Sequence, residues 1–203
     1  QIHTKIDLFC LTFYFIFEFF VLFYSLKEIC IMSLTSYLGI DVGSVTTKLA
    51  LVDEKGQYID SYMLKTAGKP VMAVQSGLRQ ILEQANNAGR EYNIMGVGTT
   101  GSGRNLAGAL VGADVVKNEI TAHAVAAATY IPGVQTILEI GGQDSKIIIL
   151  RDGIVTDFAM NTVCAAGTGS FLDHQAQRLN VPIEEFGDTA LKSENPARIA
   201  GRC

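Results

Sequence analysis

Two short turns, each placed between strands, carry the residue types that phosphate binding requires. The first occupies residues 39–48, where Asp41 precedes Gly43 and several hydroxyl side chains follow. Glycine permits a tight turn whose backbone N–H groups face an anion, and a carboxylate can hold hydrated Mg²⁺. An ordinary hairpin with a polar turn is the alternative interpretation. The candidate phosphate-binding residues are Gly43, Ser44, Thr46, Thr47 and Lys48, with Asp41 as the catalytic acid that holds the metal.

The second turn occupies residues 139–146 and contains Gly141 and Gly142, followed by Gln143 and Asp144. Paired glycines let the backbone approach a phosphate closely. The amide and the carboxylate beside them can position a metal ion and the water molecule that attacks the phosphate. One such turn could arise by chance, but two of them at equivalent positions in the two halves of the chain are much less probable by chance. We therefore predict that both bind the phosphates of one nucleotide, with Gln143 and Asp144 in catalytic roles.

Two cysteines in the globular part of the chain are the candidate metal ligands. Cys164 lies in the segment 161–170, which leads into a predicted helix, and Cys203 is the last residue of the sequence. A helix N-terminus stabilises negative charge, so it favours a thiolate and the iron–sulfur cluster that thiolates hold. A phosphate-binding cap or a simply buried cysteine is the alternative. Two thiolates cannot complete a four-thiolate site, so the hypothesis takes the same two cysteines from a second subunit.

The elements that must position these residues occur in the same order twice. Alternating apolar residues bounded by turn residues predict strands, and apolar residues at helical spacing predict helices. Both halves open with three strands and then a helix, which implies an internal duplication and a ligand cleft between two lobes. The predicted strands are 37–40, 48–52, 58–64, 94–97, 114–116, 136–140, 146–150 and 154–160, with an Asp152-Gly153 hairpin turn; the predicted helices are 70–85, 106–111, 120–130 and 169–179.

Three further features have less specific interpretations. Residues 96–101 read G-V-G-T-T-G and match the dinucleotide fingerprint, but they follow a meander rather than opening a βαβ unit. Nicotinamide binding is therefore kept as a minor alternative. Glu119 begins a predicted helix, where an acid is favourable to the helix dipole and capping explains it. His123, four residues later, could approach a nucleotide, although a lone helical histidine is more often packed or solvated.

Composition excludes some classes of function. The formal net charge is -4, and the charged residues are dispersed, so nucleic acid is not an expected partner. The cysteine spacing does not resemble a secreted disulfide framework, which favours a reducing cytoplasm. The apolar leader 1–31 carries Glu18 near its centre and lacks a small-residue cleavage site, so a membrane partner is not expected either. We interpret the leader as translated upstream sequence, with Met32 as the start; a membrane anchor is the alternative.

Taken together, these motifs resemble the activators of 2-hydroxyacyl-CoA dehydratases and their relatives among the ATPase subunits of benzoyl-CoA reductases. The similarity covers residues 37–203, and its most specific parts are 39–48, 139–146, 161–170 and 201–203. The resemblance implies an α/β fold of two ribonuclease-H-like lobes, as in actin, sugar kinases and heat-shock chaperone ATPases. It also implies a homodimer with one [4Fe-4S] cluster on Cys164 and Cys203. ATP hydrolysis would drive one low-potential electron, received from ferredoxin or flavodoxin, to the dehydratase.

The expected domain organisation is the leader 1–31, a first ATPase lobe 32–133 and the beginning of a second lobe 134–203. We expect the chain to be a fragment that lacks the C-terminal part of the second lobe, including the segment that binds adenosine. Two other functions fit the same fold. An acetylhexosamine-type sugar kinase would use the cysteines only for packing, and a nucleotide-sensing module would bind ATP without turnover.

Overall fold

The computed structural model describes residues 32–161 and 168–197, which form two sheets with helices on their faces. The predicted leader 1–31 and both predicted metal ligands, Cys164 and Cys203, lie outside the described residues. Within those residues no helix is both long and apolar enough to cross a membrane. The strands are β1 (Met32–Val42), β2 (Thr46–Val52), β3 (Tyr58–Lys65), β4 (Arg90–Thr100), β5 (Val115–Val116), β6 (Thr136–Ile140), β7 (Ser145–Arg151) and β8 (Ile154–Met160), and the helices are α1 (Pro70–Asn87), α2 (Arg104–Val111), α3 (Glu119–Tyr130), α4 (Gly169–Arg178) and α5 (Ile183–Leu191).

The first sheet has the strand order β3-β2-β1-β4-β5. Strands β1, β2 and β3 pair antiparallel, which confirms the predicted meander, and β4 then joins β1 in parallel. Strands β1 and β4 are longer than the predicted 37–40 and 94–97. They pair with each other from Met32 and Arg90 onward, so tertiary hydrogen bonds extend both strands through polar sequence that has little strand propensity of its own.

The core of the first sheet lies on one face only. Side chains alternate between the two faces of a strand, and Ile40, Leu49 and Leu51 fall on the buried face. Helices α1 and α2 cover this face with Val74, Ile81 and Ala107 among their packed residues. Asp41 and Lys48 are directly opposite each other across β1 and β2, and both lie on the face that these two helices leave uncovered.

The second sheet has the order β6-β7-β8 with both pairs antiparallel. Asp152 and Gly153 join β7 to β8 with positive φ values of 51° and 76°, which confirms the predicted hairpin turn. Helix α3 precedes this sheet in the chain and packs on it, with Ala124 against Ile148 and Leu150. The opposite face of the sheet leaves large apolar side chains exposed, among them Leu138, Ile140 and Ile147.

Helix α5 was not among the predicted elements. None of its residues is buried. Its apolar residues Ile183, Phe186, Ala190 and Leu191 nevertheless recur at helical spacing, a signal that the prediction did not use. Its start also carries a local signal, because Pro182 precedes two acids, Glu184 and Glu185, in the first turn. Acidic residues at that end of a helix interact favourably with the helix dipole.

The dinucleotide alternative is not supported by the fold. Gly96 and Gly98 lie inside β4, where they pair with Tyr37 and Gly39 of β1. A dinucleotide fingerprint needs its glycines in the turn after a strand, where the backbone can approach a pyrophosphate. Here only Gly101 lies beyond the strand. Its φ is +86°, and an added Cβ would overlap the carboxylate of Asp41.

The turn from β3 to α1 holds a non-glycine residue in a left-handed conformation. Ala67 has φ 49° and the following Gly68 has φ 69°, and the N–H of Lys69 donates to Thr66 O at 2.9 Å. These values describe a type I′ turn. The left-handed region is unfavourable for alanine because its Cβ approaches the following carbonyl oxygen. The turn is therefore strained at Ala67.

Replacing Ala67 with glycine should relieve this strain. We expect Ala67→Gly to stabilise the protein by about 1 kcal/mol, since the left-handed penalty disappears. The matched control is Ala73→Gly in helix α1, where glycine should cost about 1 kcal/mol. Urea unfolding curves at unchanged slope measure both effects. Destabilisation by Ala67→Gly would contradict the assignment of strain.

Candidate functional site

The two predicted turns are the tips of two hairpins that pair in the same register. Asp41 lies opposite Lys48 in the first, and Glu139 lies opposite Lys146 in the second. The N–H of Gly43 donates to Thr46 O at 2.9 Å, and the N–H of Gly141 donates to Asp144 O at 2.8 Å. The two hairpin tips therefore share the same strand register and the same closing hydrogen bond.

The hairpin tips line one cleft of about 110 Å³ together with the start of α3. Every predicted site residue that the structure describes lines this cleft, with the exception of Thr47. The lining residues are Asp41, Gly43, Ser44, Val45, Thr46, Lys48, Gly101, Ser102, Glu119, His123, Glu139, Gly141, Gly142, Gln143, Asp144 and Lys146.

Thr47 does not face the cleft. It alternates in phase with Leu49 and Leu51, so its side chain is fully buried on the core face of β2. Its hydroxyl lies 2.9 Å from the hydroxyl of Thr66. The prediction grouped Thr47 with its neighbours by residue type, whereas strand alternation separates it from Thr46 and Lys48. Thr47 therefore contributes to the buried core beneath the first turn and does not contact a ligand in the cleft.

The glycines of the second turn are needed for packing between the hairpins. A Cβ on Gly142 would lie 2.7 Å from Cγ2 of Val45, so the side chain of Val45 occupies the space beside the Gly142 backbone. A Cβ on Gly141 would lie 3.0 Å from both Asp144 O and Glu139 Oε1. Both distances are closer than real Cβ atoms tolerate without displacing a neighbour. The two tips can meet because this turn carries no side chains at its start.

The second turn also holds the N-terminus of α4. The N–H groups of Gly169 and Ser170 donate to Gly141 O at 2.9 Å and to Gly142 O at 3.0 Å. Thr168 occupies the N-cap position, but its buried hydroxyl donates to Gly142 O at 3.1 Å and does not cap the helix. The start of α4 is therefore attached to the second turn by three hydrogen bonds.

The two acid–lysine pairs differ in burial. The Lys48 side chain is 53% exposed, and its Nζ lies 3.5 Å from Asp41 Oδ2. The Lys146 side chain is 5% exposed, and its Nζ lies 3.0 Å from Glu139 Oε2 and 2.5 Å from Asp144 Oδ1. Burial lowers the pKa of Lys146, but the hydrogen bonds and charges of Asp144 and Glu139 outweigh it, so the pKa is raised. Lys146 is a fixed, charged donor, whereas Lys48 is free to meet a ligand.

At the start of α3 the cap is Asn118, whose Oδ1 accepts from the N–H of Thr121 at 2.8 Å. Capping had been expected to explain Glu119. Instead, the Glu119 carboxylate lies 3.4 Å from Nη1 of Arg104, which also donates to Gly101 O at 3.0 Å. Glu119 and His123 both line the cleft, one helical turn apart.

Mg²⁺ bound through phosphate suits the acids of the cleft better than a metal held by protein alone. Among residues 32–161 and 168–197 no group of three metal-binding side chains is assembled. Mg²⁺ usually takes one or two carboxylates and keeps water and phosphate as its other ligands, so it needs no such group. The volume of 110 Å³ is below the 300–1,000 Å³ typical of sites that enclose a whole small molecule. The described residues can hold phosphates and a cation.

Sequence reasoning missed the roles of Glu139, Lys146 and Thr66. Glu139 and Lys146 belong to the second turn motif. The sequence signal for them is that an acid precedes and a lysine follows each turn, as Asp41 and Lys48 do in the first. Thr66 is remote in sequence from the turn it contacts. It lies just beyond β3, and local sequence gives no sign that this position reaches the first turn.

The BadF/BadG/BcrA/BcrD ATPase family model matches residues 38–203. The (R)-2-hydroxyglutaryl-CoA dehydratase activating ATPase of Acidaminococcus fermentans is 34% identical over 166 residues, which are 82% of this chain and 62% of that protein. The crystal structure of component A of that organism's dehydratase has a TM-score of 0.71 at 31% identity, over 82% of this chain and 62% of the other. The activator of the 2-hydroxyisocaproyl-CoA dehydratase from Clostridium difficile, solved with bound ADPNP, has a TM-score of 0.66 at 29% identity, over 81% of this chain and 60% of the other.

These matches confirm the predicted fold class, an α/β protein related to the actin-like ATPases. The chain spans about three fifths of the length of the relatives it matches.

The contrast between the two lysines can be tested. Lys146→Met leaves two carboxylates without their buried partner and should destabilise the protein by about 3 kcal/mol. Lys48→Met, at the equivalent place in the exposed pair, should change stability by less than about 1 kcal/mol. Since the pKa of Lys146 is raised, its contribution is complete below its ordinary value of 10.5 and is lost only as the pH rises through the raised value. The difference between the free energies of unfolding of Lys146→Met and Lys48→Met, measured by chemical denaturation, should therefore be the same at about pH 7 and at about pH 9. If both substitutions changed the free energy of unfolding equally, the assignment of Lys146 as the buried, structural lysine would be contradicted.

Proposed function

The chain belongs to the BadF/BadG/BcrA/BcrD ATPase family, and from that membership we propose that it hydrolyses ATP in the cleft between its two hairpins to activate a 2-hydroxyacyl-CoA dehydratase. The observation that carries the proposal is the meeting of two equivalent hairpin tips, each with an acid opposite a lysine, around one phosphate-sized space. Relatives named as dehydratase activators support the choice of partner.

In this proposal the first hairpin binds phosphate. Ser44 and Lys48 are exposed at the cleft and supply a hydroxyl donor and a mobile cation, and Thr46 lies beside them. Asp41 would hold Mg²⁺, which would supply positive charge to neutralise the phosphates. The only ion pair of Asp41 among the described residues is with the exposed Lys48, at 3.5 Å, so its carboxylate is available to a cation.

The second hairpin supplies the group that orients the attacking water. The Gln143 side chain is exposed at the cleft, whereas Asp144 is bound by Lys146. We assign the orientation of water to Gln143, with Asp144 and Lys146 fixing the backbone on which Gln143 stands. A neutral amide can both donate to phosphate oxygen and accept from water, which is the role that a water-positioning residue needs.

The electron-transfer part of the proposal depends on Cys164 and Cys203. Two thiolates from each of two subunits make the four-thiolate set of a [4Fe-4S] cluster, which supplies one-electron chemistry when bound. The contacts of α4 support a link between this cluster and the nucleotide. Thr168, Gly169 and Ser170 all donate to the second turn, four to six residues after Cys164. A turn that moves with the phosphates would carry α4 and the preceding segment with it.

The proposed partners are those that the resemblance to dehydratase activators implies. The protein would act as a homodimer that receives an electron from ferredoxin or flavodoxin and passes it to the dehydratase. ATP binding and hydrolysis would bias the dimer between two arrangements, because contacts to phosphate differ between the ATP and ADP states.

Loss of the proposed metal-binding acid should slow ATP hydrolysis strongly while preserving the fold. We expect Asp41→Asn to lower kcat roughly 100-fold, as removal of a group that stabilises charge in the transition state does. The matched control is Asp53→Asn, in the turn after β2, where the side chain accepts only local N–H groups at 2.8 Å. The measurement is phosphate release, followed by activation of a purified 2-hydroxyacyl-CoA dehydratase. Full ATPase activity in Asp41→Asn would contradict the proposed role of Asp41. If the wild-type protein instead transfers phosphate to a sugar, the protein is a kinase and the activator proposal is wrong.

The cluster hypothesis predicts about four iron atoms per dimer in anaerobically purified full-length protein. Cys164→Ala and Cys203→Ala should each lose the iron and the visible absorption of the cluster. Iron and sulfide analysis measures the effect. A wild-type protein without iron would leave an ATPase and remove the electron-transfer part of the proposal.

A further inference from the structure

We propose that Thr66 is a positioning residue that fixes the first turn in the conformation that receives phosphate. This inference rests on the proposed function of the cleft and adds to it a residue outside both turn motifs. Thr66 lies directly after β3, is 5% exposed, and does not line the cleft. It reaches the turn from the side away from the proposed ligand.

Thr66 contacts the first turn through both its backbone and its side chain. Its N–H donates to Val45 O at 2.8 Å, and its hydroxyl donates to Gly43 O at 2.8 Å. These two carbonyls flank Ser44. The β2–β3 ladder, which pairs Thr46 with Lys65, is in this way extended by one more residue onto the turn itself.

A buried hydroxyl chain holds Thr66 in this orientation. Thr47 Oγ1 lies 2.9 Å from Thr66 Oγ1. Since the single hydroxyl proton of Thr66 is given to Gly43 O, Thr47 must be the donor to Thr66. Both threonines are buried, so a broken link would leave a polar group without water, which is costly. The relay runs from Thr47 to Thr66 to Gly43 and ends on the turn.

The direction of the Gly43 carbonyl decides where the next amide points. The peptide between Gly43 and Ser44 is planar and trans, so its N–H and C=O point in opposite directions. Because Thr66 holds the carbonyl toward the interior, the N–H of Ser44 points away from Thr66. Ser44 is exposed and lines the cleft. Thr66 thereby aims a backbone donor at the space proposed for phosphate.

In the second hairpin the equivalent carbonyl is held by a backbone donor instead of a side-chain hydroxyl. Gly141 is the counterpart of Gly43, and its carbonyl accepts from the N–H of Gly169 at 2.9 Å. A carbonyl at the equivalent position is therefore held from outside the hairpin in both halves. In the second half the donor is backbone, whereas in the first half it is one side-chain hydroxyl that substitution can remove.

The decisive variants differ only at this hydroxyl. Thr66→Val keeps the shape and loses the donor, Thr66→Ser keeps the donor, and Thr47→Val removes a neighbouring buried hydroxyl while leaving the bond to Gly43. In the full-length protein we expect Thr66→Val to raise the KM for ATP roughly tenfold, the effect of one lost buried hydrogen bond, with kcat little changed. Thr66→Ser should behave as wild type. Thr47→Val should lower thermal stability with a smaller effect on KM. If Thr66→Val does not fold, Thr66→Cys, whose thiol donates weakly, should give the same direction of change.

A second readout needs no nucleotide. Amide hydrogen exchange at Gly43, whose N–H donates to Thr46 O at 2.9 Å and closes the turn, should in the nucleotide-free protein be faster in Thr66→Val than in wild type and Thr66→Ser. An unchanged KM and unchanged exchange in Thr66→Val would overturn the inference. If wild type does not bind ATP, faster exchange at Gly43 in Thr66→Val would still support the positioning role, and only the proposed function would be contradicted.

Discussion

Contact between the two hairpin tips is the constraint on which the cleft depends. Val45 of the first tip lies against the backbone of Gly142 of the second, at a distance that excludes any side chain at position 142. A larger residue would separate the tips and with them the acids and lysines that they carry. The residues of the site come from sequence positions about a hundred apart, and this one close approach brings them to a common space. Glycine is required here by a neighbouring side chain, in addition to any requirement from phosphate.

Equivalent positions in the two hairpins have taken different physical roles because their surroundings differ. Asp41 and Lys48 lie on a sheet face that α1 and α2 do not cover, whereas Glu139 and Lys146 share a face with Ile148, on which α3 packs. An exposed lysine can exchange its partner for a ligand at little cost. A buried one cannot leave two carboxylates without a large penalty. The two equivalent tips therefore differ in that the first carries an exposed lysine and the second a buried lysine held by two carboxylates.

The sequence predicts most of the fold because its local signals agree with the tertiary structure. The Asp152-Gly153 turn, the meander and the start of α1 at Pro70 each follow from residue type and spacing. Predictions failed where a partner distant in sequence decides the outcome. β1 extends to Met32 because β4 pairs with it, and Thr66 contacts the first turn from beyond β3. Thr47 is a different case, since the alternation of β2 already carried the information that its side chain is buried.

Helix α3 precedes the second sheet in the chain yet packs on it, with Ala124 against Ile148 and Leu150. The ion pair of Arg104 and Glu119 therefore joins a helix that covers the first sheet to a helix that covers the second, at 3.4 Å and with both side chains partly exposed. Water replaces such a partner readily, so this contact adds little to the free energy that holds the two sheets together.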